Sequence, residues 1–444
     1  MPERHQPVEA PRLDRYMVFL FGLLSTATLF EGFDSGMLSF AAPEVRADLG
    51  IDRSEWGLLN GVVRLGVALS FVFLLFADRW GRRKIMLLTV TGLAVSSAMT
   101  AVATDIASFT FFQFLTRLFL TAEYSLAVIM IGEELPSRLR GAGIAVLTSL
   151  ATVGVMLIAK TQPYVLLDPG AESNWLHAFG SGAVAWLQSA LGLEASRENW
   201  RALYILGALP LALILFLRLG MRETRRFQAS MSNPLSWRES LLRPWQPRYR
   251  RRTAIVTLLW NCVHMVTAPS VVYWVIFARE DLGLSATQVG DIVFWGYGGG
   301  VVGHFVAGWM IDRIGRKWTC SGFYIFAAVS IVLLYQVPTL WGQYVFMIAT
   351  VFGFGAANTA THIYASELFP TEIRASGYGW TTNLMGRITE IVAPVAMGLM
   401  IAETGNIPWA ITAVAIGPVL GALLVLRFAP ETRGLTLEEI QEHV

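Results

Sequence analysis

The motif Asp-Arg-Trp-Gly-Arg-Arg at residues 78–83 recurs as Asp-Arg-Ile-Gly-Arg-Lys at residues 312–317, an offset of 312 − 78 = 234 positions. A second motif, Glu-x-x-Pro-x-x-x-Arg, stands at residues 133–140 and again at residues 367–374, with the same offset of 367 − 133 = 234. Two unrelated motifs that share one register indicate an internal duplication. The chain is therefore predicted to consist of two homologous halves.

A third pair of segments ends each half. Arg-Glu-Thr-Arg at residues 222–225 corresponds to Pro-Glu-Thr-Arg at residues 430–433, at an offset of 430 − 222 = 208. The first half therefore holds 234 − 208 = 26 additional residues. We place them in a long outer loop from Pro163 to Trp200, between the fifth and sixth apolar segments.

The apolar segments between these motifs predict a membrane protein. Hydrophobic residues make up 54% of the 444 residues and charged residues 15%, whereas a soluble domain has about 25% charged residues. A spanning helix needs about 20 mostly apolar residues. The sequence predicts an all-α membrane protein with twelve transmembrane helices in two pseudo-symmetric six-helix bundles, with approximate limits at Tyr16–Phe40, Trp56–Ala77, Ile85–Thr104, Ala107–Gly132, Ala142–Pro163, Arg201–Leu219, Thr253–Phe277, Gln288–Ile311, Thr319–Val337, Trp341–Ser366, Ser376–Ala402 and Pro408–Phe428.

The distribution of Lys and Arg predicts the orientation. These residues concentrate in the loops after the second, sixth and eighth spans, and cytoplasmic loops are enriched in them. Both termini are therefore expected in the cytoplasm, with the protein in the plasma (inner) membrane. The predicted parts are an N-terminal tail (1–15), an N-terminal bundle (16–219), a basic linker (220–252), a C-terminal bundle (253–428) and a C-terminal tail (429–444).

Several functional classes lack the residues that they need. A net charge of +2 gives no reason to expect a nucleic-acid partner. The chain contains no Gly-Lys dipeptide, so a Walker lysine is absent. There is no set of His, Cys and Asp with metal-binding spacing and no nucleophile-elbow pattern. We expect no enzyme activity, no metal and no cofactor.

The duplicated loop motifs resemble those of the major facilitator superfamily over nearly the whole chain. The first copy departs from the family pattern at its leading glycine, where Leu74 stands, and the second keeps Gly308. The resemblance implies a functional monomer with alternating access and a cytoplasmic gate between the halves. The alternative is a static loop clamp. The gate would consist of the charged residues of both copies, Asp78, Arg82, Glu133, Arg140, Asp312, Arg316, Glu367 and Arg374.

Within the superfamily, the Glu-x-x-Pro loops are similar to the branch of sugar porters, organic-ion transporters and metabolite:proton symporters. The ending Pro-Glu-Thr-Arg-Gly at residues 430–434 is similar to the same branch. Glu-Gly-Phe-Asp at residues 31–34 resembles the Asp-Gly-x-Asp signature of aromatic acid:proton symporters, with glutamate in place of the first aspartate.

Two arginines are predicted near the middle of the membrane. At about 1.5 Å per residue, Arg117 lies about 15 Å into the fourth span and Arg387 about 16 Å into the eleventh. A guanidinium is a planar fork of donors that suits a carboxylate, so one arginine from each half would hold an anion. Alternatively, Glu390 neutralises Arg387 and Asp34 neutralises Arg117. The resemblance adds polar residues in spans that line the family's cavity, Tyr124, Asn261, Tyr297, Asn358 and Asn383.

Acidic residues inside spans are candidates for proton coupling, because a buried carboxyl can gain and lose a proton near neutral pH. Asp34 is the first candidate and Glu31 the second, three residues apart on one helix face. Arg64 is a plausible countercharge, and a permanent Glu31/Asp34/Arg64 cluster is the structural alternative. Glu123 and Glu390 are further candidates that the sequence does not rank.

The sequence therefore predicts a proton-coupled symporter of a small organic anion, in particular a carboxylate. Its partners would be this small molecule, protons and the lipid bilayer. One alternative is an organic-cation or drug:proton antiporter, in which the acidic residues would hold the cation. An alternative from another class is a non-transporting sensor on the same scaffold.

Overall fold

The computed structural model describes residues 15–134, 137–167, 172–193, 199–223, 242–369, 377 and 379–431. Within these residues every regular element is helical. The first half contains α1 (Arg15–Phe40), α2 (Ala42–Leu49), α3 (Arg53–Leu69), α4 (Phe71–Trp80), α5 (Arg82–Thr100), α6 (Ile106–Glu134), α7 (Ser137–Leu166), α8 (Trp175–Ala190) and α9 (Trp200–Arg218). The second half contains α10 (Arg250–Ile276), α11 (Ala286–Ile314), α12 (Arg316–Gln336), α13 (Leu340–Leu368), α14 (Ile388–Thr404), α15 (Ile407–Val414) and α16 (Ile416–Phe428).

These helices form twelve membrane-spanning segments, six in each half. The second span consists of α3 and α4, the twelfth of α15 and α16, and the eleventh of α14 with the irregular turn before it. Among the described residues, eight segments are long and apolar enough to cross a membrane by composition alone. The other four, α5, α6, α7 and α11, contain 19 to 30 residues, which at about 1.5 Å per residue spans about 28–45 Å.

Two spans that the sequence predicts as continuous helices are interrupted. The second span breaks at Ser70, whose hydroxyl donates to the carbonyl of Val67 at 2.6 Å; such back-bonding competes with the helix and bends it. The eleventh span begins with a π-helical segment, Gly379–Leu384, and a 3₁₀ turn, Met385–Arg387. Irregular backbone is tolerated at membrane depth only where protein or a cavity surrounds it.

The long loop between the fifth and sixth spans contains a helix that was not predicted from the sequence. Asn174 caps α8 by accepting hydrogen bonds from the backbone of Leu176 at 3.0 Å and His177 at 3.1 Å. Gly180 of α8 packs against Ala202 of the sixth span. The 26 additional residues therefore include a structured segment that packs on the first half.

Two carboxylates occupy equivalent positions in the halves. Glu223, after the sixth span, accepts hydrogen bonds from the backbone N–H groups of Arg82 at 2.9 Å and of the next residue at 3.2 Å. Glu431, after the twelfth span, accepts from Arg316 at 2.9 Å and from the next residue at 3.0 Å. Each carboxylate thus caps a helix N terminus, where unpaired N–H groups favour negative charge. We call the end of the bundle that carries these two N termini the basic face.

The halves are in close contact at the other end of the bundle, which we call the opposite face. A Cβ atom on Gly57 of the second span would lie 2.3 Å from the carbonyl oxygen of Pro394. On Gly290 of the eighth span it would lie 2.1 Å from the carbonyl oxygen of Ala159 in the fifth span. Only glycine allows this approach of backbones, which is how membrane helices commonly pack. The second and eleventh spans, and the fifth and eighth, therefore join the halves near the opposite face.

Candidate functional site

A cavity of about 270 Å³ lies between the halves. Residues of the first, second, fourth and fifth spans form one wall, and residues of the seventh, eighth and eleventh spans form the other. Its charged lining consists of four side chains, Arg64, Arg117, Arg387 and Glu390. This volume is just below the range of about 300–1,000 Å³ of pockets for drug-sized ligands. The cavity is thus suited to a small molecule and is lined by three guanidinium groups against one carboxylate.

Glu390 connects the two halves inside this cavity. Its Oε1 atom pairs with Arg64 of the second span, and its Oε2 atom accepts from Arg387 at 2.6 Å. The side chain of Glu390 is 9% exposed, that of Arg64 13% and that of Arg387 24%. The pairing of Arg387 with Glu390 is the arrangement that the sequence left open as an alternative to substrate contact. Glu390 and Arg64 are joined across the interface, which the sequence analysis did not anticipate.

Arg117 is held differently from the other two arginines. Its Nη1 atom donates to the Ser35 hydroxyl at 2.9 Å and its Nη2 atom to the Ser35 carbonyl at 3.1 Å. In the part of the chain that the structure describes, no carboxylate forms an ion pair with Arg117. Its hydrogen bonds in this part of the chain are therefore to neutral groups only, while the carboxylates of Asp34 and Glu390 act on its charge from further away. Ser35 was missed by the sequence analysis, although it directly follows Asp34.

Asp34 and Glu31 lie behind the cavity wall rather than in it. Asp34 is 4% exposed and accepts a hydrogen bond from the Ser97 hydroxyl at 2.8 Å. Glu31 is 2% exposed, and neither of its carboxyl oxygens has a hydrogen-bond partner among the described residues. The permanent Glu31/Asp34/Arg64 cluster, which the sequence left open as an alternative, does not form among these residues, because Arg64 pairs with Glu390 from the other half.

Glu123 lies in the interior of the first half and does not line the cavity. It pairs with Arg218 of the sixth span and accepts from the Thr89 hydroxyl at 2.8 Å. Both charged side chains are almost fully buried, at 1% and 0% exposed. Arg218 was missed by the sequence analysis because it stands one residue from the predicted end of its span, where arginines commonly reach the membrane surface.

The five polar residues predicted to line the cavity fall into two groups. Tyr124 and Tyr297 do line it. Asn261 instead holds the break in the eleventh span, donating to the Met385 carbonyl at 2.8 Å. Asn383 donates to the Ser125 hydroxyl of the fourth span at 3.4 Å, and Asn358 is half-buried on α13 outside the cavity lining.

A network of ion pairs closes the opposite face between the halves. Glu280, in the π-helical turn at the end of the seventh span, pairs with Arg46 of α2 and with Arg53 at 2.7 Å. Arg53 also contacts Asp281 at 2.8 Å, and Arg279 reaches Glu44 at 3.1 Å. Burial lowers the pKa of the Arg46 guanidinium below its usual value, and the neighbouring Glu280 carboxylate offsets part of this effect. We refer to these residues as the outer ion-pair network.

One ion pair of the outer ion-pair network follows the internal repeat. Arg46 and Glu280 are 234 positions apart, the same offset as the loop motifs. These equivalent positions of the two halves thus carry opposite charges and meet. Glu44 and Arg279 are 235 positions apart, one residue out of this register. The Arg46–Glu280 pair was not predicted from the sequence, although applying the repeat register to opposite charges would have found it.

The predicted gate at the basic face is described only in part. The side chains of Arg82 and Arg316 donate to the carbonyls of Ala77 at 3.0 Å and Ile311 at 3.2 Å, at equivalent positions in the two halves. The other predicted gate side chains lie outside the described residues, namely Asp78, Glu133, Arg140, Asp312, Glu367 and Arg374.

Comparison with known proteins gives a consistent result along the chain. The model of the family "Sugar (and other) transporter" matches residues 23–444. The chain is 24% identical to the niacin transporter NiaP of Acinetobacter baylyi (strain ATCC 33305 / BD413 / ADP1), over 98% of each chain. It is 25% identical to the gallate transporter of Pseudomonas putida, over 93% of this chain and 91% of the relative.

A solved structure has the same fold. The inward open conformation of the xylose transporter XylE from E. coli superimposes with a TM-score of 0.74 at 15% identity, covering 96% of this chain and 99% of that chain. The agreement extends over both halves and confirms the two-bundle architecture.

Proposed function

Because this chain belongs to the sugar (and other) transporter family of the major facilitator superfamily, we propose that it is a secondary active transporter that carries a small organic anion together with a proton. The protein is an integral multi-pass membrane transporter, not an enzyme. We propose three further properties: a negatively charged substrate, a proton as the coupling ion, and transport of both in the same direction.

The charge balance of the cavity is the observation that carries the proposal. Three arginines and one glutamate line it, and that glutamate is already held between two of the arginines. An organic cation would meet an excess of positive charge at close range, where like charges repel strongly because the surroundings are poorly polarisable. Among the described residues, the guanidinium of Arg117 is hydrogen-bonded to Ser35 and forms no ion pair, so it can receive a substrate carboxylate. The geometry therefore favours an anionic substrate over the cationic substrate of the alternative hypothesis, an organic-cation or drug:proton antiporter.

The lining also favours a substrate with a small ring. Phe40, Tyr124 and Tyr297 are the aromatic residues that line the cavity, and aromatic rings pair favourably at offset or edge-to-face geometry. Two relatives are named as transporters of niacin and gallate. Small aromatic carboxylic acids are thus the first substrates to examine.

Asp34 is the proposed proton carrier. Asp34 directly precedes Ser35, which accepts both hydrogen bonds from Arg117. A change in the charge of Asp34 would therefore affect the anion site through the neighbouring residue. Its carboxyl is buried with a neutral hydroxyl partner, Ser97, a setting in which protonated and ionised forms are both accessible. Glu31, whose buried carboxyl oxygens have no hydrogen-bond partner among the described residues, is the second candidate.

Alternating access would use the two faces in turn. We propose that the basic face is cytoplasmic, since cytoplasmic loops are rich in Lys and Arg, and that the protein acts as a monomer in the plasma membrane. The outer ion-pair network would then close the extracellular side, and the predicted loop gate would close the cytoplasmic side when the network opens.

Uptake into proteoliposomes tests the proposal. Radiolabelled niacin and gallate are offered to vesicles with and without an inward proton gradient, and a radiolabelled organic cation is offered in parallel. The proposal expects a carboxylate to enter, faster with the gradient. Transport of the cation with no transport of either acid would reverse the assignment of substrate charge.

A further inference from the structure

We infer that Glu390 acts as an internal substitute for the substrate carboxylate: it occupies the arginines of the cavity when the transporter is empty and yields at least one of them when substrate binds. The inference rests on the proposed transport of organic carboxylates and adds how the anion site is kept in order between two rounds of transport.

The contacts of Glu390 are those that a bound carboxylate would make. Its two oxygens contact two different guanidinium groups, Arg64 from the first half and Arg387 from the second. Charge-assisted hydrogen bonds between guanidinium and carboxylate groups are among the stronger polar interactions in proteins. Glu390 therefore joins the halves through the same chemistry by which a substrate anion would join them.

The position of Glu390 explains why such a substitute is needed. Arg64, Arg117 and Arg387 all line one cavity, and an empty carrier must close around that cavity to return for the next substrate. Enclosing three positive charges with no anion would be costly, because each loses its hydration and repels the others. With Glu390 in place, two arginines share one negative charge, and the third, Arg117, is left for the substrate.

A competing explanation is a fixed structural ion pair that merely attaches the eleventh span to the second. The two explanations differ in what they predict for separate modes of transport. If the ion pair is only structural, mutating it should reduce substrate exchange and net uptake equally, because it lowers the stability of the whole protein. A substitute for the substrate should be dispensable while substrate occupies the cavity and needed only when it is empty.

Glu390→Gln tests this difference, because glutamine keeps the shape and removes the charge. Exchange of radiolabelled niacin between loaded vesicles and medium involves only the occupied carrier, whereas net uptake requires the empty carrier to return. We expect exchange to stay within about threefold of wild type and net uptake to fall at least about tenfold, with niacin bound as tightly as in wild type or more tightly. Equal losses of exchange and net uptake, or weaker binding, would overturn the inference.

One variant guards against misfolding of Glu390→Gln. Glu390→Asp keeps the negative charge and should recover part of the net uptake. Lack of recovery in Glu390→Asp would contradict the role assigned to Glu390.

A measurement without substrate separates this inference from the proposed function. Distances between spin labels on the opposite face of the two halves report whether the empty protein visits both open and closed arrangements. Wild type should show two populations and Glu390→Gln one. Identical distributions would refute the role of Glu390 in closing the empty protein whatever the substrate is. Failure of wild type to bind or move any carboxylate would refute the proposed function, and with it the comparison of Glu390 to a substrate, even if the two distributions differ.

Discussion

Removing the carboxylate at the centre of the outer ion-pair network should open the opposite face. Glu280 pairs with Arg46 and with Arg53, whose side chains are 10% and 27% exposed, and is itself 28% exposed. Exposed ion pairs contribute about 0.2–1 kcal/mol, and breaking a fully buried one costs about 3–5 kcal/mol. For two pairs of intermediate exposure, Glu280→Gln should destabilise the closed face by about 1–2 kcal/mol, which is about 5–30-fold in the equilibrium between closed and open arrangements.

A reporter cysteine in the cavity measures this equilibrium. Ser39 lines the cavity and is 7% exposed, and replacing Cys262 and Cys320, the two cysteines of the sequence, with serine removes the background. In this background, Ser39→Cys should react with a membrane-impermeant thiol reagent from the opposite face about 5–30-fold faster when Glu280→Gln is present.

The control is an ion pair between the same two halves with more exposed partners. Lys160 and Asp291 pair at the opposite face with side chains 45% and 36% exposed. Asp291→Asn should therefore raise the labelling rate by no more than about fivefold. If Glu280→Gln protein remains folded and labels at the wild-type rate, the outer ion-pair network does not hold this face closed and the reasoning fails.

Three further predictions concern the anion site, the proton and the helix caps. Arg117→Gln should weaken niacin or gallate binding by about 10–150-fold, the equivalent of about 1.5–3 kcal/mol for hydrogen bonds to a charged group, measured as the loss of ligand-induced thermal stabilisation; unchanged stabilisation would exclude Arg117 from the site. Asp34→Asn should abolish the acceleration of uptake by a proton gradient and leave exchange intact, and a gradient effect that survives would assign the proton to another group. Glu223→Ala and Glu431→Ala should each cost about 0.5–2 kcal/mol as lost helix caps and lower the Tm of the purified protein, with equal Tm values for variants and wild type speaking against the capping role.

The architecture was predictable because its signals are local or repeated. The duplicated loop motifs and the apolar segments gave twelve spans in two halves, and the family match confirms them. The interruption at Ser70 comes from a hydroxyl that bonds the backbone of its own span, which the apolar pattern does not reveal. The interruption at residues 379–387 was not predictable, because it depends on side chains of another span. Asn261, for example, satisfies the Met385 carbonyl freed by the break, and only the folded chain brings the two together.

The charges of the site were predictable as a set but not as pairs. Arg117, Arg387, Glu390 and Arg64 were all identified in the sequence as charged groups at membrane depth, and all four line the cavity. Arg387 and Glu390 are three residues apart, so helical geometry alone brings them together. The pairing of Arg64 with Glu390 crosses 326 positions and depends on how the halves dock, which helical spacing does not determine.

The same limit applies to the acidic residues of the first half. Glu31, Asp34 and Glu123 have similar surroundings in the sequence, yet the structure gives each a different one. Glu123 is paired with Arg218, Asp34 accepts from Ser97, and Glu31 has no hydrogen-bond partner among the described residues. The roles of these carboxyls follow from tertiary contacts and need mutants to be assigned.

The most direct test of the central claim is net uptake of radiolabelled niacin and gallate into proteoliposomes under an inward proton gradient, in wild type and in Arg117→Gln, with a radiolabelled organic cation offered in parallel. We predict that wild type accumulates at least one of the two acids and that both the gradient and Arg117 are required for accumulation. Accumulation of the cation without either acid, or uptake of an acid that is indifferent to Arg117, would contradict an anion site built on this arginine.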